Sequence, residues 1–350
     1  MPDISKIYPS DAHAQQQVDA LLAAEGIRRD KNLDYTCGIY DEDYTQLIAT
    51  GSCFKNTLRC FAVSHKHQGE GLLNSVITHL IELQHERGNS HFFLYTKTKS
   101  AKFFGDLGFY EIAAVPGELS FMENRRTGFQ DYLAALTAES PRPQPGQRIA
   151  AIVMNANPFT LGHLFLIEKA AAENDLVHLF IVSEDASLVP FAVRRQLVYA
   201  GTAHLRNLVY HDSGPYIISS ATFPSYFQKD EEAVSRGHAL LDITIFRQIA
   251  KVLGITRRYV GDEPLSQVTN LYNQIMREEL PAAGVECIVV PRKEQTGAAI
   301  SASTVRQALQ NGDLATLRTL VPPTTLEFFQ SEAAAPVLAA IRSAGDVVHH

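Results

Sequence analysis

The sequence predicts an α/β protein of two domains, an N-terminal mixed α/β domain followed by a C-terminal domain built on a doubly wound parallel sheet. Three observations lead there. The 350 residues exceed what one hydrophobic core usually organises. The stretch TAESPRPQPGQ at 137–147, with three prolines within five residues, removes backbone donors and favours extended, solvated chain. It separates residues 1–138 from 148–350, with 139–147 as the linker. On both sides of it, short apolar runs alternate with segments of helical periodicity.

Taken in order, the apolar spacing predicts a helix over 14–24, strands over 35–40, 46–54 and 58–63, a helix over 71–87 and a strand over 91–96. After the linker, IAAIVM at 149–154 is a continuous apolar run with the β-branched content of a buried parallel strand. A 3.6-residue apolar spacing then runs over 161–174. Further strands are expected over 177–182, 208–210, 258–260 and 287–290, with helices between them, which is the alternation of a doubly wound sheet. Ligands of such sheets bind beyond the carboxyl ends of the strands.

Composition narrows the function. With 45% hydrophobic and 20% charged residues, the chain is an ordinary globular one. A net charge of -7 argues against a general nucleic-acid binder, whose phosphate affinity rests on excess Lys and Arg. Cys37, Cys53, Cys60 and Cys287 lack metal-ligand spacing and read as reduced thiols, so no metal site of the protein's own is expected. The N-terminus lacks a basic region followed by an apolar stretch, and no apolar run reaches roughly 18 residues. A cytoplasmic protein without membrane attachment is the expectation.

The chemistry should lie where the first strand of the second domain meets its helix. There MNANPFTLGH carries Asn157, Pro158, Thr160, Gly162 and His163, and this resembles the signature of the HxGH nucleotidyltransferase superfamily, a Rossmann-like group. A glycine at a helix start lets backbone approach phosphate, and the free N–H groups favour negative charge. A single histidine there is more often a cap or a surface residue. About 140 residues later, however, ISASTVR resembles the superfamily's second motif, ISSTxxR, with Ser301, Ser303, Thr304 and Arg306. The resemblance implies that Thr160, His163 and Arg306 are catalytic and that Ser301, Ser303 and Thr304 contact the phosphates of ATP. Arg194, in VPFAVRRQLV, matches a further basic position, although Arg195 beside it loosens that match. Gly261 and Asp262 should reach the ligand edge near the adenine or ribose, with an ordinary turn as the equal alternative. The long segment 213–230, rich in aromatics and hydroxyls, is the expected acceptor pocket, with Lys229 either a phosphate contact or a solvated lysine.

In the first domain, HKHQGEGL places Lys66, Gln68, Gly69 and Gly71 in a pattern that resembles the pyrophosphate loop of GNAT acetyltransferases, and SAKFFGDLGFYEI at 100–112 resembles that family's companion element. Phe104 stands where many acetyltransferases carry the tyrosine that protonates the leaving thiolate. The domain is therefore expected to bind a CoA-like arm rather than to acetylate amines.

Together, the two halves resemble the citrate lyase ligase family over nearly the whole chain. The resemblance implies a ligase that activates acetate with ATP, with Mg²⁺ on the phosphates, as acetyl-AMP. It would then acetylate the thiol of the phosphoribosyl-dephospho-CoA group on the acyl carrier subunit of citrate lyase. A phosphopantetheine adenylyltransferase, an acetyl-CoA-sensing binding protein and an N-acetyltransferase are the rival readings. Arg125 with Arg126, and Arg257 with Arg258, are candidate contacts to an acidic carrier, and more often such pairs form a solvated face.

Overall fold

A computed structural model describes residues 3–30, 32–222, 236–262, 267–295 and 298–345. The chain divides into compact units of residues 1–128 and 129–350, so the helix that precedes the proline-rich segment belongs with the second unit.

In the first unit the elements are β1 (Ser5–Lys6), α1 (Ala12–Ala24), β2 (Tyr35–Tyr40), β3 (Leu47–Phe54), β4 (Thr57–Val63), α2 (Leu72–Glu86), β5 (Phe93–Lys97), α3 (Ala101–Asp106), β6 (Tyr110–Val115) and β7 (Leu119–Glu123). The strands form one mixed sheet of order β1-β2-β3-β4-β5-β7-β6. Its two faces are read from consecutive residues of β3, because neighbours in a strand point to opposite sides. Leu47 packs with Val18, Leu21 and Leu22 of α1, whereas Ile48 packs with Leu72, Val76, Ile77 and Leu80 of α2. Helices thus cover both sides. β4 and β5 are parallel but paired only at Thr57 with Phe93 and Leu58 with Leu94.

The second unit contains α4 (Gly128–Ala138), β8 (Ile149–Met154), α5 (Leu161–Glu173), β9 (Leu176–Ile181), α6 (Phe191–Thr202), β10 (Leu208–Asp212), α7 (Arg236–Leu253), β11 (Arg257–Gly261), α8 (Gln267–Glu279), β12 (Glu286–Val290), α9 (Ala302–Asn311), α10 (Leu314–Leu320), α11 (Pro323–Gln330) and α12 (Ala335–Ser343). A short β13 (Glu294–Gln295) and β14 (Ala298–Ala299) form a separate antiparallel pair. Five strands are parallel in the order β10-β9-β8-β11-β12. The doubly wound sheet expected from sequence is present. Because the chain runs outward from β8 to β10 and then returns to β11, the order reverses between β8 and β11, and the crevice beyond their carboxyl ends is the ligand position of this architecture. α4 joins this unit through ring contacts of Phe129 and Tyr132 with Tyr216, 5.0 and 4.9 Å between centroids. The segment PRPQPG at 141–146 is exposed. On β9 and β10, His178 and His211 are buried and bonded to each other at 2.9 Å.

Candidate active site

The loop from β8 to α5 begins at the sheet's switch point. Its last residue, Thr160, is the N-cap of α5: the Oγ1 accepts from the His163 backbone N–H at 3.3 Å, and the His163 Nδ1 accepts from the Thr160 N–H at 3.1 Å. This reciprocal box satisfies two donors that a helix start otherwise leaves open. It also fixes the imidazole. Burial first, and the positive charge of Arg292 second, push the His163 pKa down to about 4, so the ring is neutral at physiological pH. With Nδ1 accepting, the ring proton of that neutral form resides on Nε2, which is left as a hydrogen-bond donor.

The second motif comes to the same place. Ser301 caps α9, its Oγ accepting from the Thr304 N–H at 3.1 Å and lying 2.8 and 2.7 Å from the hydroxyls of Ser303 and Thr304. A Cβ on Gly162 would stand 3.3 Å from the Ile300 carbonyl oxygen, so the starts of α5 and α9 approach as closely as they do because residue 162 has no side chain. Arg306, buried, donates from Nη1 to the Asn157 carbonyl at 2.6 Å. Two stretches 149 residues apart in sequence are thereby joined, and two helix N-termini, each favouring negative charge, stand side by side with three hydroxyls and an imidazole donor.

The remaining sequence candidates fall into three groups. Gly261 and Asp262 end β11 beside the switch point; Asp262 is exposed, and its backbone N–H donates to Val290 at 2.9 Å. Asn157 is buried, its Oδ1 accepting from the Val189 N–H at 3.0 Å, and Pro158 follows it through a cis peptide. Arg194 is placed otherwise than a phosphate ligand: it is fully buried in α6 and its guanidinium donates to four backbone carbonyls. The reason is local: two strand ends and the loop leading into α6 present carbonyl oxygens that need donors.

Residues 213–222, the described part of the expected acceptor segment, are largely buried. They are held by Asp242 of α7, whose carboxylate accepts from the Ile218 N–H at 2.6 Å, from Thr222 Oγ1 at 3.2 Å and from the Tyr272 hydroxyl. Lys229 lies outside the described residues. Sequence reading missed Arg292, which follows β12, donates from Nε to the Asp262 carbonyl at 2.9 Å and contributes to the field at His163. Its only sequence signal was a basic pair, Arg292 with Lys293, one proline after an apolar strand.

In the first unit, Gly69 and Gly71 have φ of +93° and +78°, and a Cβ at either would meet nothing within 4 Å. Glycine is required there by backbone conformation, not by space. Gly71 is the N-cap of α2; Gln68 bonds the Glu25 carboxylate at 3.3 Å, and Lys66 is exposed in the turn before it. Phe104 is 1% exposed and packs on Phe61, Phe103 and Phe109, a core residue in every contact.

A doubly wound parallel sheet with paired helix N-termini at its switch point defines an α/β protein with a candidate anion site there, preceded by a second, mixed α/β unit. Comparison with known proteins carries this further. Residues 149–329 match the family described as citrate lyase ligase C-terminal domain. The citrate (pro-3S)-lyase ligase of Escherichia coli (strain K12) is 42% identical over 292 residues, covering 82% of each chain. Among solved structures, pantoate-beta-alanine ligase from Francisella tularensis is 17% identical with a TM-score of 0.36, covering 58% of this chain and 79% of that one. An acetyltransferase of the GNAT family from Staphylococcus aureus Mu50 is 12% identical with a TM-score of 0.30, covering 35% and 98%. The chain belongs to the citrate lyase ligase family, and it is an enzyme, a ligase. Among the described residues no helix is long and apolar enough to cross a membrane.

Proposed function

We propose that this ligase activates citrate lyase by acetylating the thiol of the phosphoribosyl-dephospho-CoA arm on the acyl carrier subunit, in two steps. A carboxylate oxygen of acetate attacks the α-phosphorus of ATP, the bond to the β-phosphate oxygen breaks, and acetyl-AMP and pyrophosphate form. The carrier thiolate then attacks the acetyl carbonyl, and AMP leaves. The observation that carries the reading is the junction of the Thr160–His163 box with the α9 N-terminus through Gly162 and Arg306.

Charge builds on pyrophosphate as it leaves, and preorganised donors aimed at that charge lower the barrier. The His163 Nε2–H, held in place by Thr160, the first N–H groups of α5 and the Ser303 and Thr304 hydroxyls are such donors, and Arg306 supplies fixed positive charge behind them. Magnesium on the phosphates of ATP would neutralise part of that charge when bound, and the hydroxyl oxygens at α9 are hard donors of the kind it would accept. Gly261 and Asp262 are assigned to the adenosine side. The second step needs proximity and a thiolate, not a protein nucleophile, consistent with three of the four cysteines being buried.

The loop carrying Lys66, Gln68, Gly69 and Gly71 is assigned to the pyrophosphate of the carrier arm. Phe104, which has no proton to give, speaks against acetyl transfer to amines. The reaction belongs in the cytoplasm on this reading. Acetate-dependent exchange of labelled pyrophosphate into ATP, without carrier, tests the first step. Exchange that requires acetate and collapses in His163→Ala is expected. Transfer of AMP to phosphopantetheine without acetate-dependent exchange would replace the reading by an adenylyltransferase.

A further inference from the structure

Arg194 has no exposed surface, yet among the described residues its charge meets no carboxylate in a hydrogen bond. Instead Nε donates to the Val189 carbonyl (2.9 Å), Nη1 to Asn155 (2.9 Å) and Val182 (2.7 Å), and Nη2 to Glu184 (2.9 Å). Asn155 directly follows β8 and Val182 directly follows β9; Glu184 and Val189 lie in the loop that leads to α6. One planar fork therefore ties the segment that carries Thr160 and His163 to its neighbour. The same two segments are joined again by Asn157 Oδ1 accepting from the Val189 N–H at 3.0 Å and by Asn155 Nδ2 donating to Ser187 Oγ at 2.9 Å. Between these anchored residues, Ala156 has a φ of +50°, a left-handed conformation that a residue with a Cβ holds only when its surroundings impose it.

We propose that Arg194 is a positioning residue for adenylation: it sets the span between the segments after β8 and β9, and through it the place at which Thr160 and His163 meet the nucleotide phosphates. This rests on the adenylation reading above. Lysine keeps the charge but has three donors on a tetrahedral head and cannot reproduce a four-carbonyl planar clamp.

The test uses the full-length protein, comparing wild type, Arg194→Lys and Ser187→Ala, the last of which removes only the neutral tie between Asn155 and Ser187. Pyrophosphate exchange and backbone amide hydrogen exchange are measured for each. Arg194→Lys is expected to lower kcat of exchange by about 30-fold or more while the ATP KM stays within about 3-fold, because misplaced donors are lost to the transition state rather than to ground-state binding. Amide exchange in residues 155–164 should quicken. Ser187→Ala should move both readouts in the same direction, by about 3-fold in kcat. A raised ATP KM with kcat retained in Arg194→Lys would make the residue a direct phosphate ligand and overturn the proposal. Unchanged kcat and unchanged amide exchange in both variants would overturn it too. If Arg194→Lys does not fold, Ser187→Ala decides on both readouts. Wild-type protein lacking acetate-dependent exchange would refute the adenylation reading, and the amide-exchange comparison would still judge the clamp.

Discussion

Burial and the charge of Arg292 keep the His163 imidazole neutral down to about pH 4, so its Nε2–H stays a donor across the range in which a free histidine titrates. Two consequences follow at this scale. Pyrophosphate exchange should show no inflection between pH 6 and 7 that disappears in His163→Gln, and His163→Ala should lower kcat by about 10²–10³-fold, the usual cost of one donor to developing charge. Stability should depend on acid. His178 and His211, held down to about 3 and about 4 mainly by burial, take up protons near 6.5 once unfolded but not while folded. Their contribution is therefore complete above pH 6.5 and is lost as pH falls toward 4. Urea midpoints should decline over that window, and less steeply in His178→Asn with His211→Asn. Of the candidate site, Thr160, Gly162, His163, Ser301 and Thr304 were legible through resemblance to two short motifs, each of which the structure sets at a helix start. Arg194 was not. Its partners are backbone carbonyls, which every residue carries, so a sequence offers only the charge and suggests a ligand.

Among elements, the strands and helices with strong periodicity were legible to within a residue or two: 149–154 is β8 as read, and 71–87 is α2 but for its ends. The sequence reading left out β1, two residues held only by pairing with β2, and the hairpin of β6 and β7, where YEIAAV and LSFME lack clean alternation because the sheet is covered on both sides. The proline-rich break was visible, whereas the allegiance of α4 was not, since it depends on ring contacts with Tyr216, far along the chain. The junction of α5 with α9 is the element-level feature most exposed to mutation. In Gly162→Ala the new Cβ would press on the Ile300 carbonyl, and a shift of a few tenths of an ångström in donor position should lower exchange roughly 10-fold with folding intact by circular dichroism.

For the whole molecule, the two units divide the labour on the reading proposed here, and the division is measurable. Replacing Gly69 and Gly71 by valine forces β-branched residues into φ of +93° and +78°, which distorts the loop before α2. Acetylation of the carrier thiol should fall while acetate-dependent pyrophosphate exchange is spared; equal loss of both, or loss of neither, in folded protein would count against a carrier-binding role for that loop. The 149-residue separation between Arg306 and Asn157 also has a meaning for synthesis. A chain leaving the ribosome exposes the Thr160 loop long before α9 exists, and domains generally fold from the N-terminus as they emerge. The nascent second unit therefore carries half of the proposed phosphate site until its last strand and the following helix arrive, and ribosome-stalled chains ending before residue 300 should show no acetate-dependent exchange even with the first unit folded.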